Sequence, residues 1–482
     1  MIPGKASLSG TKRYFERLGR SYRNYFELSW FQKPALLPFY VSKIGTGTYR
    51  LHRDRTEHHE ALRQALISGI NLIDTAPNYS DGAAEVLIGN VVAELIESKR
   101  IARDELVVVD HFGFIEGSTL QLLHNRYPTD TISISNRVKH CLHPDFLSLQ
   151  LDWSTQKLGL HTIDIVLLQS PELLGFIDNQ DQWISKMKLA FDFLEKQCQE
   201  GRIQFYGISS NLLTSPNIGI QMLELLISQS PPGFRVIQFS ANLIETGYRN
   251  IGLPQYARKK GLFTLGCRPL NSIVNNSVYR LARSIDNPPE GEENPEARQI
   301  RLEDELYSLE NRILSLINEK EHRFSYDIRT PSAYETLRHY RQKTISLENV
   351  LPLIDAISQP LQKTASQLNF QIERSSDPQS GQRLLERYLR LVHSALSFLP
   401  SYMGYRHHLN LAKFEKELQQ ETKTELPLSI LAVAAVLADD IDSVFVGMRR
   451  NSAIRQITQI FSQKQFQKIK KINETWLPKV VD

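Results

Sequence analysis

The run GINLIDTAPNYSDGAAEVLIG carries the densest chemistry in the chain. Asp74 closes an apolar, β-branched stretch, and Tyr79 follows five residues later in a Pro/Asn loop. A carboxylate and a phenol placed in this way can move a proton. A phenol titrates near ~10 in water, so it exchanges protons at neutral pH only with a fixed cation nearby. A purely structural alternative is an aspartate capping the helix that starts near Ala83, with the tyrosine packed on its loop. His140, Cys141 and His143 resemble metal ligands, but no fourth ligand stands at a suitable spacing, which favours structural roles. GTGTY lacks the Lys-Ser/Thr ending of a phosphate loop.

These residues need elements to hold them. Between Val41 and about Arg268, short β-branched runs alternate with helix-length segments. The strand candidates are Lys43–Tyr49, Ile70–Thr75, Glu105–Phe112, Thr162–Gln169, Ile203–Ser209, Arg235–Phe239 and Leu262–Cys267. Helical patterns fill Glu57–Ser68, Glu85–Glu97, Asp181–Glu200 and Asn217–Ser228. Strands apolar throughout and separated by helices predict a parallel sheet covered by helices. Seven strands suit a doubly wound sheet or an unfinished barrel.

An eighth strand comes late. From Asn271 to about Glu425 no strand is predicted, and Leu, Glu, Arg and Gln recur at helical spacing. LSILAVAAVLADD then predicts an apolar helix, DSVFVGM a buried strand and RRNSAIRQITQIF a further helix. The expected fold is an α/β (β/α)8 TIM barrel with a large helical insertion between its seventh and eighth strands. The expected divisions are an N-terminal extension over 1–40, seven barrel strands over 41–274, an insertion over 275–425, and barrel completion over 426–482. The insertion is either a bundle packed on the barrel or a module that binds a protein partner or covers the active site.

Composition narrows the classes. Hydrophobic residues make up 41% and charged residues 23%, enough for a globular core. A net charge of +4 over 482 residues gives no electrostatic argument for nucleic acid. No apolar run is long enough to span a membrane. Three scattered cysteines, Cys141, Cys198 and Cys267, fit free thiols in a reducing compartment, and a cytoplasmic location is expected. The basic, aromatic N-terminus contains Glu16 and Glu27 and no apolar signal core, so it is expected to be a folded extension.

The motif order GTGTYRL, INLIDTAPNYS, a strand ending in HFGF, TIDIVLLQSPE, GRIQFYGISSN and VIQFSANL resembles the aldo-keto reductase superfamily over roughly residues 40–275 and 426–460. A bacterial-type branch is similar also at Gly4–Tyr14, at His140–Leu151 and at Arg268–Asn271. The resemblance implies a TIM barrel and NADP(H)- or NAD(H)-dependent reduction of a small-molecule carbonyl or oxidation of an alcohol. It implies that Tyr79 is the general acid or base and Asp74 its partner.

Two positions depart from the family. The family lysine is His111 and the family histidine is Gln169. An imidazole offers a cation only while protonated, and an amide donates a hydrogen bond but relays no proton. For the cofactor, the resemblance assigns Ser209, Ser210, Asn211 and Gln238 to the nicotinamide carboxamide. It places Cys267 where an aromatic ring stacks, with Arg268 next to it. Arg449, Arg450, Asn451 and Arg455 fall in the segment that takes the adenosine phosphate.

Two functional expectations follow. One is a reductase-like oxidoreductase with weakened or altered catalysis. The other is a non-catalytic descendant, with or without bound nucleotide, that acts as a sensor or scaffold through its insertion.

Overall fold

The computed structural model describes residues 1–21, 31–35, 37–123, 127–229, 232–274, 277–282, 293–318, 332–342, 350–423 and 425–458. Eight parallel strands close a barrel: β1 (Ile44–Gly47), β2 (Leu72–Thr75), β3 (Val107–Phe112), β4 (Ile163–Gln169), β5 (Ile203–Ser209), β6 (Phe234–Ser240), β7 (Phe263–Cys267) and β8 (Ser443–Gly447). Each pairs with its neighbours in sequence, and β8 closes on β1 with Val446 opposite Thr46. Gly207 permits one close approach, because a Cβ there would lie 1.7 Å from the Val236 carbonyl oxygen.

Alternation along each strand fixes two cores. Leu72, Val107, Val109, Ile165, Leu167, Val236, Phe263, Leu265 and Phe445 fill the lumen. Ile73, Val108, Val166, Ile208 and Ile237 face the helices instead. The outer layer includes α1 (Leu8–Ser21), α2 (Thr56–Ile67), α3 (Ala83–Glu97), α4 (Pro144–Leu158), α5 (Gln180–Gln199), α6 (Gly219–Gln229) and α7 (Leu253–Lys259).

The N-terminal segment belongs to this unit. Ala6, Leu37 and Phe39 join the lumen cluster, and Ala6 N–H donates to Asp164 Oδ1 at 2.8 Å. Arg17 grips the buried Glu105 carboxylate with two bonds of 2.8 Å. Glu27 and residues 459–482, for which a C-terminal helix is expected, lie outside the described residues.

Contacts divide the chain into one unit of residues 1–270 with 425–482 and another of residues 271–424. The second unit has its own apolar cluster, with Leu306, Ile313, Leu337, Ile372 and Tyr388 at its centre. Its helices are α8 (Pro295–Asn318), α9 (Ala333–Gln342), α10 (Val350–Ile372) and α11 (Pro378–Thr422). The expectation of no strand here is corrected by a hairpin, Asn271–Val274 against Ser277–Arg280. Its strands are four residues each, short enough for the surrounding helical periodicity to obscure them. After the insertion, α12 (Leu428–Ala438) is buried along most of its length, and α13 (Asn451–Thr458) follows β8.

Candidate active site

Strand parity brings the candidate residues together. Asp74, His111, Gln169, Gln238 and Cys267 each share the lumen-facing parity of the residue two places earlier, Ser209 joins them through its bond to Gln238, and all lie at or near carboxyl strand ends. Six strands therefore aim six polar side chains at the mouth where barrel active sites form.

Four of them form one hydrogen-bonded chain. His111 Nε2 donates to Asp74 Oδ1 at 2.7 Å, and Gln238 Nε2 donates to the same oxygen at 3.0 Å. Ser209 Oγ donates to Gln238 Oε1 at 2.6 Å. Thr48 Oγ1 holds the Asp74 main-chain oxygen at 2.8 Å. His111 is buried, and its Nδ1 has no hydrogen-bond partner among the described residues. Nε2 carries a proton in this bond, because a carboxylate oxygen only accepts.

Tyr79 adjoins this chain on a strained loop. Ser80, Asp81 and Gly82, which follow it, have φ of 50°, 55° and 82°. Two consecutive non-glycine residues in the left-handed region cost of order 1–3 kcal/mol each and persist only where neighbours hold them. Here Asp81 Oδ1 accepts from Ser118 N–H at 2.9 Å and from Ser118 Oγ at 2.8 Å. The Tyr79 ring meets Tyr49 edge to face at 5.1 Å. Burial pushes the Tyr79 phenol well above its usual range, and Asp74, Cys267, Tyr49 and Asp110 push it the same way.

Gln169 stands apart. Its side-chain Oε1 is buried with no partner among the described residues, while its main-chain oxygen accepts from His140 Nε2 at 2.7 Å. Burial draws the His140 pKa down to about 4, so this ring is neutral and its one proton lies on that bond. His143 caps α4, accepting from Asp145 N–H at 3.3 Å. These bonds account for both histidines of the metal-like motif, and no group of three or more metal-type ligands occurs among the described residues.

A second cluster surrounds Arg268, whose φ is +58°. Its guanidinium donates to Asn211 Oδ1 at 3.3 Å, to Ser240 Oγ and to Glu245 Oε1 at 3.0 Å. Ser210 Oγ caps the turn after β5, accepting from Leu212 N–H at 3.0 Å. Burial pushes the Cys267 thiol up to about 11. At the β8–α13 junction, burial and the neighbouring Arg50 and Arg450 lower the Arg449 pKa. Arg450 reaches Glu57 at 3.5 Å, Arg455 is exposed, and Asn451 Oδ1 is buried without a partner among the described residues.

This arrangement fits a nicotinamide dinucleotide at its phosphate end. Arg449 and Arg450 crowd one another there, and an anion would relieve that crowding.

Sequence reasoning missed Thr48, Ser240 and Glu245, and it gave His140 a structural role without finding its bond to the Gln169 main chain. Ser240 has the same strand parity as Gln238, which is a readable signal. Glu245 and His140 lie outside the barrel strands, where parity gives no guide.

A closed eight-stranded parallel barrel with a polar, carboxylate-centred mouth defines a TIM-barrel protein with its site on the βα loops. The sequence matches the aldo/keto reductase family over residues 43–474, and the chain belongs to that family. It is 28% identical over 138 residues to the NADH-specific methylglyoxal reductase of Escherichia coli (strain K12), covering 26% of this chain and 37% of that protein. The chain thus spans little more than a third of the length of that relative. Among solved structures it resembles aldo-keto reductase AKR11C1 from Bacillus halodurans in holo form, with 16% identity, a TM-score of 0.47 and coverage of 92% and 97% of the two chains. The glycerol dehydrogenase AKR11B4 from Gluconobacter oxydans gives the same identity and TM-score over 91% of each chain.

Proposed function

We propose that this chain is a nicotinamide-dependent oxidoreductase of carbonyl and alcohol substrates whose proton chemistry favours reduction. The observation that carries the reading is the Asp74–His111–Gln238–Ser209 chain beside Tyr79 at the barrel mouth. NADP(H), or NAD(H) as in the methylglyoxal reductase name, supplies the hydride when bound. Tyr79 donates its phenolic proton to the substrate oxygen, and the amide N–H of Gln169 adds a second hydrogen bond. His111 and Gln238 hold the Asp74 carboxylate in place. Burial and Asp74 keep the phenol protonated, which suits proton donation and opposes proton abstraction. Ser209, Ser210, Asn211, Gln238, Cys267 and Arg268 border the nicotinamide, and Arg449, Arg450, Asn451 and Arg455 the adenosine phosphate. The protein acts in the cytoplasm, and residues 275–425 serve as a docking module for a protein partner. Among the described residues no helix is long and apolar enough to cross a membrane.

A second reading is a non-catalytic nucleotide sensor or scaffold. The engagement of Gln238 and Asn211 within the protein favours it, as does the upward push of burial and Asp74 on the Tyr79 phenol. Fluorescence titration with NADPH and NADH, followed by aldehyde-dependent cofactor oxidation, separates the two. Binding with turnover supports the oxidoreductase, binding without turnover supports the sensor, and no binding overturns both cofactor assignments.

A further inference from the structure

A cleft of about 930 Å³ opens beside the loop that carries Tyr79, and it is lined by Tyr49, Arg50, Arg55, His58, Asn78 and Glu116 among others. Tyr49 links it to the site, since its ring meets Tyr79 on one side and Arg50 lies over it at 5.9 Å on the other. Asn78 and Ser80, the sequence neighbours of Tyr79, also line it. A substrate running from Tyr79 past the Tyr49 ring would set its remainder in this cleft.

Charge is sorted across the cleft. The wall from the β1–α2 loop and the first turn of α2 carries Arg50, His52, Arg55 and His58. His58 Nδ1 accepts from His52 N–H at 3.0 Å, so the ring presents its other nitrogen, Nε2–H, as a donor. Burial lowers the His58 pKa first, and the fields of Arg449 and Arg55 lower it further. Asp54 on this wall is engaged by His52 at 3.4 Å and Arg53 at 3.7 Å. The opposite wall carries Asp81, held by Ser118, and Glu116, which accepts from Asn78. An anionic group is repelled by that wall and attracted to the arginines.

We infer that this cleft selects carbonyl substrates bearing an oxyanion, a carboxylate or a phosphate, held by Arg50, Arg55 and the Nε2–H of His58. The inference rests on the carbonyl-reduction reading and names its substrate class. Guanidinium forks bind oxyanions with charge-assisted bonds, which gives an expected preference of about ten-fold or more over a neutral analogue.

The test compares kcat/KM for 4-carboxybenzaldehyde with that for its neutral methyl ester, and for glyceraldehyde 3-phosphate with that for glyceraldehyde. The two pairs separate a carboxylate source from a phosphate source. The acid or the phosphate should be preferred, and the double variant Arg50→Ala with Arg55→Ala should bring the ratio close to one. Equal rates in the unaltered protein overturn the inference. A raised KM for NADPH in the double variant, with the ratio unchanged, also overturns it and assigns these arginines to the cofactor. If no aldehyde is reduced, calorimetric titration with 4-(hydroxymethyl)benzoate and its methyl ester decides. Preferential binding of the acid upholds the cleft while the reduction reading fails, and equal binding or none overturns the cleft assignment.

Discussion

His111 donates from Nε2 to Asp74 Oδ1 across 2.7 Å, and the opposite nitrogen of the same ring is buried with no partner among the described residues. The pair is fixed, yet the strongest influences on Tyr79, burial and then Asp74, raise its pKa. The proton chemistry of the site follows from that contrast.

Tyr79 stays protonated through neutral pH, because burial and Asp74 push its pKa upward. The acid form used in reduction is therefore retained, and the phenolate needed for oxidation forms only at high pH. Carbonyl reduction should be flat in this group between about pH 6 and 9, while alcohol oxidation rises with pH across and above that range. Steady-state rates in both directions check this. Oxidation that levels off near neutral pH would refute it.

Asp110 faces outward from β3 toward α3 and α4, and burial raises its pKa well above normal, followed by the field of Glu85. Burial also raises Glu85, with Lys157 at 3.3 Å opposing the shift. For a raised acid, the stability contribution is present below the unfolded pKa and is lost as pH rises through the folded one. Asp110→Asn should stabilise the protein by about 1–2 kcal/mol at pH 8 and by less at pH 4. Thermal melts across that range read the difference, and equal stabilisation at both ends would contradict it.

Gly82 has φ of +82°, and a Cβ on it would sit 2.5 Å from Lys157 Nζ. Gly82→Ala should cost about 1–2 kcal/mol and displace the loop that carries Tyr79. A lowered melting temperature together with reduced turnover is the expected pair of results.

The insertion has its own apolar cluster and its own contact unit. Replacing residues 271–424 with a flexible Gly/Ser linker of about ten residues should leave a soluble barrel that melts cooperatively. Aggregation under all conditions would show that the two units share a core.

The barrel was legible because its strands are short, apolar and regularly spaced, and all eight expected strands recur within two residues at either end. Asp74 was legible as the end of an apolar strand, whereas His111, Gln169, Ser209, Gln238 and Cys267 were picked out by the family resemblance of their motifs and not by any periodicity. The directions of loop residues were not legible. Ser210 turns into a local cap, and Arg268 bends into a left-handed conformation to reach Glu245. Neither direction is encoded by a periodicity. Tyr79 was placed on its loop, but its surroundings depend on Tyr49 from a different βα loop.

The central claim is that a reductase site persists and is slowed by the exchanges at positions 111 and 169. The most direct measurement is aldehyde-dependent oxidation of NADPH and NADH by the unaltered chain, by His111→Lys with Gln169→His, and by that double variant carrying Tyr79→Phe. Lysine supplies a cation at every physiological pH, and histidine supplies a donor able to exchange a proton. Slow turnover, raised ~10²–10⁴-fold in the double variant and abolished by the added Tyr79→Phe, is the predicted result. A double variant that folds and binds cofactor yet reduces no aldehyde would contradict the claim and leave the nucleotide-sensing scaffold in its place.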